Sequence, residues 1–241
     1  MFLIILFVAI VVFGLGFFNR ANAPVIDEEQ RVNEVPEQLS YTEEVINEED
    51  EKFSINIKYP KTNNQAINNE INNFIESSVN KFKSDADEFG DLPDYLKERK
   101  YRMDIWFNFY ESSKYKSFVF LTSTDTLGAH PNSFYNTLNF DNDSKSISIT
   151  DFLVKEFNDL NVIDDISAIS YVKLERELGK DAMETGWVED GVAPEIENFQ
   201  DFYVLEDKIV FLFEPYAIGP YAWSSKEVEV RFDELNTLEE F

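Results

Sequence analysis

From Phe53 onward the apolar residues of this chain switch repeatedly between two spacings, and that switching constrains the fold more than any motif. Phe53, Ile55, Ile57 and Tyr59 alternate with polar residues, the pattern of a strand with one buried face. Ile67, Ile71, Phe74, Ile75, Val79 and Phe82 then recur every three to four residues, which predicts an amphipathic helix against the core. Alternation returns at Met103, Ile105, Phe107 and Phe109, set against Arg102, Asp104, Trp106 and Asn108. Ser117 to Leu121 is apolar on both faces and reads as a central strand. Phe134, Asn136, Leu138 and Phe140 share a face of the next strand, and a turn at Asn142-Asp143 leads to a further extended stretch, Ser146 to Ile149.

The second part of the chain repeats the scheme. A helix is expected from about Asp159 to Leu178, with Ile163, Ile166 and Leu174 buried and Gly179 at its C-cap. A Gly/Pro/Asp-rich loop, Gly186 to Pro194, precedes a hairpin of Phe202–Leu205 and Ile209–Phe213 around Glu206-Asp207. Val228, Val230 and Phe232 mark a last strand. The expected class is α+β: two halves, residues 53–150 and 151–241, each a helix packed on mainly antiparallel strands. One sheet face is expected to meet helices and the other water.

Residues 2–18 carry no charge. At about 1.5 Å per residue they fall slightly short of a bilayer core. Ala21-Asn22-Ala23 fits a cleavage site, although Pro24 follows it. Residues 1–23 are therefore expected to be a hydrophobic helix serving as signal-anchor or signal peptide, with an uncleaved membrane anchor favoured and secretion following if it is cut. Residues 24–52 hold eleven acids, from Asp27 to Glu51, against Arg31 and Lys52. They read as a self-repelling extended linker.

The chain has 47 acidic and 21 basic residues, a net charge of −26. Nucleic acid, which needs clustered Lys and Arg, is not an expected partner. Such a field suits basic proteins, or simply keeps a surface soluble. With no cysteine and a single histidine, His130, a Cys–His nucleophile, a His/Cys zinc site and a multi-histidine metal site are all absent. No Gly-x-Ser-x-Gly elbow presents a serine nucleophile. Asp141 to Phe152 fails as a calcium loop: Lys145 takes the fifth position, Ser146 replaces the glycine, and Phe152 stands where a bidentate Glu belongs. The expectation is a non-enzymatic module with no catalytic residue, metal or cofactor; an envelope hydrolase is a distant alternative.

Two segments stand out as candidate ligand contacts. Gly128-Ala129-His130-Pro131-Asn132 places His130 and Asn132 in a constrained turn, where the imidazole either meets a ligand or fixes the loop. Pro215 to Trp223 is a rigid loop whose Tyr216, Tyr221 and Trp223 either form a binding platform or pack beneath the hairpin. Trp106 and Tyr110, on the polar face of their strand, are possible additions to that platform.

Together with Asn139-Phe140-Asp141, Asn198-Phe199-x-x-Phe202, Glu206-Asp207 and Glu214 to Ala222, the Gly-x-His-Pro-Asn stretch resembles the RsiV-type extracytoplasmic domain family over roughly residues 53–238. That family includes the ectodomain of a lysozyme-sensing anti-sigma factor and the non-catalytic region of a peptidoglycan deacetylase. The resemblance implies a domain at the cell envelope, either capturing a basic protein such as lysozyme or, alternatively, binding peptidoglycan glycan. Neither a sigma-factor-holding segment nor a deacetylase domain is expected alongside it.

Overall fold

The computed structural model describes residues 39–88 and 99–236. The apolar run 2–18 and the cleavage-like Ala21-Asn22-Ala23 lie outside them. Among the described residues no helix is long and apolar enough to cross a membrane.

Five strands form the first sheet: β1 (Tyr41–Glu49), β2 (Phe53–Thr62), β3 (Tyr101–Glu111), β4 (Tyr115–Asp125) and β5 (Asn132–Asp141), ordered as numbered. The β2–β3 pair is parallel and the others antiparallel. A parallel neighbour needs a crossover, here the helix α1 (Gln65–Glu88). Asn64 starts that helix, its side-chain oxygen accepting from the amides of Ala66 and Ile67. Ile67, Ile71, Ile75 and Phe82 of the expected stripe are buried against Ile55, Ile57, Phe118, Phe120 and Phe140.

β1 corrects the linker reading, since nine of the supposed tether residues pair along β2. Its acids are neutralised by lysines distant in sequence. Glu43 meets Lys58 and Glu44 meets Lys61, while Glu48 and Glu49 reach Lys83 and Lys100. Residues 24–38 of the expected linker lie outside the described part.

The second half contributes α2 (Ile149–Phe157), α3 (Val162–Leu178), two short helices α4 (Lys180–Met183) and α5 (Trp187–Gly191), and a closing α6 (Phe232–Asn236). Its sheet is the antiparallel trio β6 (Phe202–Val204), β7 (Lys208–Phe213) and β8 (Lys226–Arg231). The expected strand 146–149 is a single bridge, Phe140 to Ser146, followed at once by α2. Ser148 and Asp151 form a reciprocal capping box there, and Asn158 ends the helix in the left-handed region at φ 55°. The expected helix 159–178 is therefore preceded by another, and itself begins at Val162. Ile163, Ile166 and Leu174 are buried as expected, in a second core around Phe152, Phe199 and Phe211.

Water does not cover the whole far face of the first sheet. Val119 packs there with Tyr203, Val210 and Leu212 of the second sheet. Polar groups fix the register of this contact: the Asn139 amide donates to Phe202 O at 3.0 Å, and the Val204 amide donates to Ser117 Oγ at 3.2 Å. The doubly apolar β4 thus lies between α1 and β6–β7.

Candidate functional site

The turn between β4 and β5 and the loop after β7 meet at one point. His130 stacks on Tyr221, with ring centroids 3.8 Å apart and planes 19° from parallel. Its Nδ1 lies 2.9 Å from Pro131 O, which has no proton to give, so Nδ1 donates. In the neutral ring that leaves Nε2 to accept the Tyr216 hydroxyl at 3.2 Å. Tyr216 is 52 % exposed and Tyr221 37 %. The turn's left-handed residue is Leu127 (φ 63°) rather than Gly128, and its amide is held by Asp125 Oδ1. Tyr216 is left-handed too, at φ 73°, held by its amide to Gly219 O. Two non-glycine residues in that region flank one site, a costly arrangement that packing must maintain.

Tyr216 and Tyr221 line a pocket of about 180 Å³ with Asn132, Ser133, Glu214 and Pro215. Four of the five candidate residues, His130, Asn132, Tyr216 and Tyr221, are thereby brought together. Trp223 is not with them. It is half-buried against the second core, its ring lying over Gly219. The added candidates also separate: Tyr110 stacks on Tyr203 at 3.9 Å, while Trp106 is 44 % exposed with no ring contact to the loop among the described residues.

The loop is held from two sides by missing Cβ atoms. One at Gly191 would fall 2.1 Å from Ala217 O, and one at Gly219 would fall 1.8 Å from the Trp223 ring. Gly219→Ala is expected to push the indole out, costing about 1–3 kcal/mol and shifting tryptophan emission to the red. Wild-type melting temperature and emission would show that the ring contact does not position this loop.

Sequence reasoning missed Asp201 and Glu214. Glu214 follows the buried run of β7 and accepts the Tyr135 amide at 2.8 Å. Burial raises its pKa against that hydrogen bond. Asp201 is raised to about 6, first by burial and then by the charge of Glu214, despite hydrogen bonds from Thr137. The only legible signal was an acid directly between a buried strand and a proline, weak in a chain with 47 acidic residues. Among the described residues no group of three His, Asp or Glu is placed to hold a metal ion.

Two family models match this architecture. Residues 46–133, from β1 to the His-Pro turn, match a model described as Deacetylase PdaC. Residues 150–233, from α2 to the start of α6, match one described as Protein of unknown function (DUF3298). The chain is 25 % identical over 222 residues to the peptidoglycan-N-acetylmuramic acid deacetylase PdaC of Bacillus subtilis (strain 168). That alignment covers 90 % of this chain and 46 % of the relative, so the chain spans about half the relative's length. Two crystal structures of DUF3298 family proteins share the fold. The Pseudomonas aeruginosa PAO1 protein aligns with TM-score 0.56 and 14 % identity, covering 82 % of this chain and 92 % of its own. For the Bacteroides fragilis protein the values are 0.57, 17 %, 83 % and 92 %.

The chain therefore carries a PdaC-like region in the expected mixed helix-and-sheet fold; the matches do not reach the RsiV-type assignment in particular. They favour the wall-glycan alternative over capture of a basic protein. They also overturn the expectation that the chain is not an enzyme, because the model over 46–133 and the Bacillus relative both carry a deacetylase name. The lack of cysteine and the single histidine remove only the chemistries that need those side chains, and among 47 acidic residues paired carboxylates carry almost no information.

Proposed function

We propose that this chain works on the outer side of the membrane at peptidoglycan, and that the pocket beside His130, Tyr216 and Tyr221 receives a sugar of the glycan strand. The observation that carries this reading is the stack of His130 on the exposed Tyr221 beside a pocket of mixed polar and apolar lining. An aromatic ring offers a pyranose an apolar face to cover, while a few polar groups such as Asn132 and Glu214 fix its orientation. The uncharged run 2–18 fits an extracytoplasmic location. The deacetylase name of the Bacillus relative supports a wall-glycan substrate class.

Tyr221→Ala and Tyr216→Ala are each expected to weaken binding to purified sacculi and to soluble wall glycan about two- to twelvefold, from stacking of roughly 0.5–1.5 kcal/mol per ring. Co-sedimentation and calorimetry at low and physiological salt check this, with circular dichroism confirming the fold. Wild-type protein that ignores wall glycan, or substitutions that leave binding intact, would discard the reading. The same salt series separates it from capture of a basic protein such as lysozyme, which the acidic surface would draw strongly only at low ionic strength.

A further inference from the structure

We infer that the pocket lined by Tyr216, Tyr221 and Glu214 selects a primary ammonium group on the wall polymer, so that it prefers de-N-acetylated amino sugar to the N-acetylated form. This rests on the glycan reading above and narrows its ligand.

The argument begins with charge. Of the residues that line the pocket, Glu214 is the one with a formally charged side chain. One of its oxygens accepts the Tyr135 amide; among the described residues no lysine or arginine pairs with it, and its second oxygen has no hydrogen-bond partner. An ionised carboxylate has about four acceptor positions, so most of this one's capacity stays unused. Half-burying such a group without a counter-charge disfavours its ionised form, the direction in which its pKa is displaced. A bound cation would offset that effect.

The walls suit the same ligand. Tyr216 and Tyr221 line the pocket together with Glu214, their ring centroids 6.1 Å apart. Aromatic faces attract cations as well as sugar rings, and attract ammonium more strongly when it is partly desolvated. A neutral acetamido group would need a donor–acceptor pair and would leave the carboxylate uncompensated. An ammonium needs acceptors only, and Glu214 and Asn132 both bring side-chain oxygens to the lining. In peptidoglycan such a group comes from a de-N-acetylated amino sugar or from the free amine of a stem peptide. The two share the chemistry and differ in what surrounds it.

The test measures binding of the full chain to glucosamine oligomers, to N-acetylglucosamine oligomers of equal length, and to an amine-bearing stem peptide, for wild type and Glu214→Gln. The glutamine keeps an oxygen for the Tyr135 amide, so the fold should survive, as circular dichroism would confirm. Wild type should favour the aminated oligomer by about tenfold or more, and Glu214→Gln should abolish that preference. A Glu214-dependent preference for the peptide would uphold ammonium recognition with the peptide as its source. Equal or tighter binding of the N-acetylated oligomer, or a preference that survives Glu214→Gln, would overturn the inference while leaving glycan binding intact. Failure to bind any of the three probes would remove the glycan reading with it.

Discussion

Phe152→Ala is expected to destabilise the folded region by about 3–5 kcal/mol and to do so in a single transition. Phe152 is fully buried, and its ring lies 5.4 Å from Tyr115, 6.0 Å from Phe202 and 6.2 Å from Phe232. Truncation removes the transfer energy of a whole ring and leaves a cavity that these neighbours fill only in part. Tyr115 makes the experiment informative beyond its size. It belongs to β4 of the first sheet, yet packs in the second core and donates its hydroxyl to Glu156. Loosening that core should therefore release the first half as well. Urea unfolding followed by far-ultraviolet circular dichroism and by tryptophan emission should give coincident curves with a lowered midpoint. Trp106 reports on the first sheet, and Trp187 and Trp223 on the second half. Two separated transitions, with the five-stranded sheet outlasting the rest, would show the halves to be independent.

Asp201→Asn is expected to stabilise the protein above pH 7 by about 1–2 kcal/mol, with a gain that fades on acidification. The folded pKa of Asp201 is raised from 3.8 to about 6 by burial and by neighbouring Glu214. Between those values the folded state holds a proton that the unfolded chain has already released, so stability falls as pH rises through that window. Above about pH 6 the penalty is fully present, and the displacement caps it at roughly 3 kcal/mol. Below about pH 4 both states are protonated and the penalty is gone. Asparagine keeps an acceptor for Thr137 and removes the charge. Denaturant unfolding at pH 8 and pH 4.5 checks the sign: a variant less stable than wild type at pH 8, or a gain that grows at pH 4.5, would refute it.

Several elements were legible because their cause is local. The stripe from Ile67 to Phe82 forms α1, and the two apolar runs on either side of Glu206-Asp207 form the β6–β7 hairpin. The start of α2 was also written in the chain, as Ser148 three residues before Asp151, but the alternation of Ser146 to Ile149 masked it. The strand β1 was not legible. Its acids look repulsive until Lys58, Lys61, Lys83 and Lys100 arrive from other elements. Trp223 and Tyr221 belong to one aromatic loop, and nothing local says that the first turns inward over Gly219 while the second stays exposed.

By itself the sequence determined the alternation of helix and strand, the doubly buried β4, and a loop made rigid by Pro215, Gly219 and Pro220, because each follows from the periodicity or backbone limits of neighbouring residues. Only the tertiary structure decided that His130 meets Tyr216, 86 positions away, and that Glu214 faces a pocket with no cation beside it among the described residues. The physical reason is that a pocket forms where separate segments meet. Its charge balance depends on which side chains the packing of two sheets leaves unpaired, and no spacing along the chain encodes that.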